Sequence, residues 1–254
     1  MTRLLVWQDV KQNLKTLRVL PLLALAMYMA YMQIRGPLEE RFAYLPGALS
    51  RHHYWLFHMI PLVAGLMGAA MARERRQGFT STLLARGVSR GQYLSAKVLG
   101  AVTSAALFTL IAVGGFYIVT ALVWLPNRAT WTQGWSNTYA RYWFPVDNLV
   151  VHDMLSALAL MASAGALSLV GVFVGVVVAN EYVAMASPLL LTILTVVSTR
   201  DWAEVLNPEV YLITGYMSVV PRNIRIVAPF LYWGGFSLLM VALCKRALAK
   251  KEPA

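Results

Sequence analysis

Charge is scarce in this sequence. Only 13% of its 254 residues are Asp, Glu, Lys or Arg, about half the share of an ordinary soluble domain, while 59% are hydrophobic and the mean hydropathy is +0.59. Such a composition excludes a water-solvated globule and points to an integral membrane protein. Cysteine occurs once, at Cys244, which excludes an intramolecular disulfide and leaves a buried structural thiol as the expected role. The four histidines, His52, His53, His58 and His152, fall in no HExxH or other familiar metal spacing, and no metal site is expected of them. His52 and His53, beside Tyr54 and Trp55, read as interfacial anchors, and His58 is the one ionisable residue well inside an apolar run. No GxxxxGK[ST] loop is present, so the chain has no P-loop for ATP, and any ATP-driven work needs a partner. Ser168, within GALSLVG, raises the idea of an intramembrane serine protease, but the last apolar run holds no histidine to activate it. Ser168, Gly171, Gly175 and Ala179, like Ala64, Gly68 and Ala72, instead recur at three- and four-residue spacing and read as helix-packing surfaces. No catalytic residue is expected, and the chain is not expected to be an enzyme by itself.

What the sequence has in quantity is uncharged runs, at 19–34, 52–72, 98–127, 154–180, 182–199 and 226–244. A hydrocarbon core of ~30 Å needs about 20 helical residues. Five runs meet that length, and the first does so if Leu17 joins it and Arg18 snorkels. The expected fold is all-α, with six transmembrane helices at about 18–34, 54–72, 97–125, 153–179, 182–199 and 226–244 in a single domain, since lipid offers open backbone groups no partner. Basic residues set the orientation. The N-terminal lead, the connector 73–97 and the C-terminal tail hold fourteen of the 22 Lys and Arg, which predicts both termini and the connector on the cytoplasmic side. The net charge of +11 is spread between apolar runs, so membrane lipid and not nucleic acid is the expected partner. Residues 1–17 place Leu4, Leu5, Trp7, Val10, Leu14 and Leu17 near helical spacing between Arg3, Lys11, Lys15 and Arg18. They predict an amphipathic interfacial helix, and the length of this polar lead favours a retained span over a cleaved signal peptide.

The connector, RERRQGFTSTLLARGVSRGQYLSAK, is several times longer than a hairpin needs. If Phe79–Val88 is helical, Phe79, Leu83, Leu84 and Val88 share one side while Arg75, Arg76, Arg86 and Arg90 point elsewhere. Gly87 then ends the helix, and Ser89 caps the next one. On these residues alone, a basic helix on anionic lipid and a protein-docking element both stand.

The order of residues resembles the signature of ABC-type-2 exporter permeases, also called type V ABC exporters. Glu74 ends the second span, Gln77-Gly78 follows, then Leu83-Leu84, Val88-Ser89-Arg90, and Lys97 entering the third span. That family's pattern runs roughly E-x-E-x-G-T, L-L, P-V-S-R and a lysine. Here Arg76 or Gln77 stands at the second acid, Phe79 at the threonine and Gly87 at the proline. The resemblance covers the whole chain, because span number, basic ends, lead helix and connector lengths also match. It implies a permease subunit of a bacterial plasma (inner) membrane that pairs with a second copy or a related permease. It also implies that 73–97 is a coupling helix in a cleft of a separate ATPase subunit, which alone binds ATP and Mg. Glu74, Arg75, Gln77, Gly78, Phe79, Leu83, Leu84, Ser89, Arg90 and Lys97 are the implied coupling residues, with Asn180 and Glu181 as a smaller second contact. The apolar stripe suits a groove, and Glu74, Arg75, Arg86 and Arg90 suit its charged rim.

The aromatic segment 126–152 is expected along the outer interface, and 200–225, with ten uncharged residues too few to span, is expected to form short re-entrant helices. Met27, Tyr28 and Tyr31 in the first span and Thr192 and Thr195 in the fifth are candidate pathway residues. The two threonines also suit hydrogen bonds to their own helix. The shortage of buried charge favours an apolar or amphipathic cargo such as a drug, peptide or lipid-like molecule. A membrane scaffold or sensor whose basic connector binds lipid or another protein is the alternative.

Overall fold

Where an apolar run has no water to satisfy its backbone, the helix is the local solution. The computed structural model describes residues 2–15, 20, 24, 28, 54–124, 149–199, 207, 208, 211 and 220–250, and among them it contains helices and no strand. We number these α1 (Thr2–Asn13), α2 (Tyr54–Gly68), α3 (Ala70–Arg76), α4 (Phe79–Ala85), α5 (Arg90–Trp124), α6 (Leu149–Val177), α7 (Glu181–Thr199) and α8 (Ala228–Lys250). A 3-10 turn at Arg222–Ile224 precedes α8. Four segments are long and apolar enough to cross a membrane: Arg90–Ile118, Val151–Val177, Glu181–Thr199 and Ala228–Lys250. The 15-residue α2 falls short alone. It meets α3 at Ala69, where the amides of Ala69 and Arg73 donate to the carbonyls of Gly65 (3.0 Å) and Ala69 (3.2 Å) and carry the helical ladder through.

The bundle is built round α6, which packs on α2, α5, α7 and α8. Buried inside the protein is 72% of its most apolar window, against 22% for α7 and 28% for α8, so those two helices form the periphery. Small residues allow this placement. A Cβ at Gly68 would collide with the Ser168 carbonyl and stand 2.9 Å from the Gly171 Cα, so α2 and α6 touch backbone to backbone. The Ser168 hydroxyl is buried and donates to the Gly165 carbonyl at 2.7 Å. Around this contact Met67, Phe108, Phe116, Leu160 and Trp233 fill one core cluster. Tyr211 joins it, stacked on Tyr232 with ring centroids 4.2 Å apart, and its carbonyl accepts the Trp233 indole N–H at 3.5 Å.

Two helices begin earlier than the uncharged runs suggest. The helix α5 starts at Arg90, seven residues before the expected span, because Ser89 caps it. The helix α6 starts at Leu149 and so takes in His152 and Asp153, both buried. The expected first span lies outside the described residues except Leu20, Ala24 and Tyr28, which are helical and exposed. Met27, Tyr31, His52, His53, the side chain of His58, residues 125–148 and most of 200–225 also lie outside them.

Candidate functional site: the connector and its buried charges

The connector is folded by its own short-range chemistry. The helix α3 ends at Gln77-Gly78, where Gly78 adopts φ +71°, a left-handed conformation that a side chain disfavours, and the chain turns into α4. The helix α4 closes in a Schellman arrangement: the Val88 amide donates to the Leu83 carbonyl (3.2 Å), the Gly87 amide donates to the Leu84 carbonyl (3.0 Å), and Gly87 takes φ +83°. Leu83 and Val88, the apolar pair that accompanies such a cap, are both buried in one cluster with Met71, Tyr93, Leu94, Val176 and Cys244. A capping box follows at once. The Gln92 amide donates to Ser89 Oγ (3.2 Å), and the Ser89 amide donates to Gln92 Oε1 (3.1 Å), which fixes the start of α5.

These turns sort the sequence-predicted residues into two sets. Gln77, Gly78, Phe79, Ser89 and Arg90 are exposed, with Arg76 and Arg86 beside them, and Phe79 is 36% exposed. Leu84 is half-buried at a small cleft that Arg75, Thr80, Arg90 and Tyr93 also line. Glu74, Leu83 and Lys97 point inward. Glu74 and Arg75 therefore do not form the outer rim that the sequence pattern suggests: each has a partner inside the protein. Leu83 likewise packs inward, which leaves Phe79 as the outward apolar residue of the stripe.

Lys97, Glu74 and Asp9 are 4%, 8% and 4% exposed. The Lys97 ammonium donates to Asp9 Oδ1 at 2.6 Å and to Glu74 Oε1 at 2.5 Å. The Tyr93 hydroxyl donates to Glu74 Oε2 at 2.9 Å, and with that proton committed it accepts from Thr80 Oγ1 at 3.1 Å. One cation thus joins α1, α3 and α5, while Thr80 ties in α4. Next to the cluster, Asn13 Nδ2 donates to Ser104 Oγ at 3.3 Å and to the Met67 carbonyl at 3.5 Å. Burial pushes the Asp9 carboxyl up to about 6; Lys97 opposes this and Glu74 adds to it.

The arginines brace the other side. Arg75 Nη1 donates to the carbonyls of Gly175 (3.0 Å) and Val176, so a guanidinium sits on the carbonyl end of α6, where the helix dipole favours it. Arg73 pairs with Glu181 at 3.1 Å. Asn180 Oδ1 accepts the amides of Tyr182 (3.0 Å) and Val183 (3.3 Å) and so caps α7. The connector and the Asn180–Glu181 turn are therefore neighbours bonded to each other.

No protein-family model matches this chain, and no curated protein matches it. The site must be judged by its own geometry. Chemically it is a junction: an exposed short helix whose root is tied by charged hydrogen bonds to four other helices.

Sequence reasoning missed Asp9, Asn13, Thr80 and Tyr93. Asp9 carried a signal, as the lone acid in a basic helix with a polar residue four positions on, both on one face. That face turns inward, and α1 instead exposes Leu4 and Trp7 beside Arg3, Lys11 and Lys15. Of the suggested pathway residues, Thr192 is buried and donates to the Pro188 carbonyl (2.8 Å), and Thr195 donates to the Leu191 carbonyl (2.7 Å). Both hydroxyls are bonded within their own helix.

Proposed function

We propose that the chain is the permease subunit of an ATP-binding-cassette exporter, docked through its connector to a separate ATPase. The observation that carries this reading is the division of the connector: Phe79, Arg76 and Arg86 exposed on a short helix, with Glu74 and Lys97 locking its root. A helix that served only to lie on lipid has no need of a buried three-charge anchor, whose desolvation is costly. A helix that must pass a push to the bundle does need one. Six spans, with α2 and α3 together forming the second, cytoplasmic termini and a bacterial inner membrane belong to the same reading. So does pairing with a second permease, for which the exposed apolar residues Leu190, Leu194 and Val197 on α7 offer a surface.

In this mechanism Phe79 fills an apolar groove of the ATPase, and Arg76 and Arg86 meet acids at its edge. ATP and Mg stay on the partner. Closure of the ATPase moves α4, Lys97 carries the movement to α1 and α5, and Arg75 and Arg73 carry it to α6 and α7. Switching from 1:99 to 99:1 requires about 5.5 kcal/mol of differential binding, which ATP binding to the partner supplies. The cargo is apolar or amphipathic, in keeping with the shortage of charge in the apolar runs.

The test is Phe79→Asp. Loss of the buried ring removes about 2 kcal/mol of contact, roughly thirtyfold in affinity. ATPase co-purification and ATP-dependent transport should both fall, with the variant's thermal unfolding unchanged. Retention of both activities overturns the docking assignment.

A further inference from the structure

The buried cluster holds two carboxylates and one ammonium, so with every group ionised it carries one uncompensated negative charge in a site that is nearly closed to water. Glu74 is satisfied at both oxygens, by Lys97 and by Tyr93. Asp9 is satisfied at one: Oδ1 accepts from Lys97, while Oδ2 is buried without a hydrogen-bond partner. It lies over Gly100, where a Cβ would stand 3.0 Å from Oδ2 and 2.8 Å from the Asp9 Cβ. A bare, buried carboxylate oxygen costs more than a protonated one, and water supplies the proton.

We propose that Asp9, Lys97 and Glu74 form a proton-operated latch, in which one proton taken up at Asp9 Oδ2 fastens α1 onto the root of the connector. The groups that face Asp9 are Lys97 and Tyr93 from α5 and Glu74 from α3. The helix α2 offers the uncharged Met67 carbonyl to the neighbouring Asn13. Lys245 and Arg246 of α8 are exposed, and the Cys244 thiol lies in the apolar cluster on which Leu5 packs. Protonation removes the surplus charge and leaves Oδ1 free to keep accepting from Lys97, which then belongs chiefly to Glu74. Deprotonation restores the competition of two carboxylates for one ammonium and loosens α1.

The direction follows from linkage. The docked carboxyl titrates at about 6 and a solvated one at 3.8, so docking takes up a proton. Its stabilisation is complete below 3.8 and is lost as pH rises through about 6. Between pH 5 and pH 7 the docking equilibrium of α1 should weaken about tenfold. If the chain is a permease as proposed above, acidification stiffens the junction between its lead helix and its coupling helix.

Hydrogen exchange of the Val10–Leu14 amides, in the full chain reconstituted in lipid nanodiscs without any ATPase, tests the latch directly. After correction for the intrinsic pH dependence of exchange, wild-type protection should fall about tenfold from pH 5 to pH 7. Asp9→Asn keeps the shape and the Oδ1 acceptor but has no proton to take up, and should abolish that fall. Wild-type protection equal at the two pH values, or an undiminished fall in Asp9→Asn, overturns the proposal. Neither result touches the permease reading, since no partner is present, and loss of ATPase docking would leave the latch intact.

Discussion

Lys97 is the residue on which most of the connector's root depends. Its removal leaves two carboxylates buried without a cation, and breaking a buried pair in this way costs about 3–5 kcal/mol. Lys97→Met should therefore lower the thermal unfolding temperature sharply, and Lys97→Met with Glu74→Met and Asp9→Leu should recover much of the loss, because a matched apolar replacement removes the stranded charges as well. Tyr93→Phe is the finer probe. It takes the donor from Glu74 Oε2 and the acceptor from Thr80 with almost no change of shape, and leaving a buried acceptor unmatched costs about 1–3 kcal/mol. The Arg73–Glu181 pair is more exposed, at 15% and 28% of the two side chains, and its loss in Glu181→Ala should cost no more than about 1 kcal/mol by the same measurement.

At the scale of elements, the connector is a sequence of caps. Ser89→Ala removes the acceptor for the Gln92 amide and should cost about 1 kcal/mol, seen as fraying of the first turn of α5 in hydrogen exchange. Gly68→Leu should be far more damaging, since the side chain has to displace the backbone of α6. These features were open to sequence reasoning because they are local. A Schellman glycine followed by Val-Ser and a glutamine three positions after the serine lie within six residues of one another, and an uncharged run declares its helix without reference to anything distant. The apolar runs accordingly predict helices where α5, α6, α7 and α8 stand. They misjudge two starting points, and at α5 the reason is that the Ser89 cap and not the first charge sets where the helix begins. The inward face of α1 was not legible. Lys97 and Asp9 are 88 positions apart, nothing in the intervening sequence states that they meet, and α1 turns Asp9 and Asn13 inward with Val10 while Leu4 and Trp7 face out.

The molecule as a whole joins these scales into one path. An exposed helix of seven residues stands on a charged root, the root holds the lead helix and the long α5, and two arginines extend the hold to the carbonyl end of α6 and to the turn before α7. In the proposed mechanism such an assembly moves as a unit when α4 is pushed. A partner groove for Phe79, flanked by acids for Arg76 and Arg86, is the complementary surface this geometry calls for. The most direct test of that claim is the affinity of the purified protein for the phosphate-loop ATPase with which it is proposed to pair, measured in nanodiscs for wild type, Phe79→Asp and Arg86→Glu. The account predicts tight binding by the wild type, roughly thirtyfold weaker binding by Phe79→Asp and a salt-sensitive loss in Arg86→Glu. Equal binding by all three proteins would contradict it.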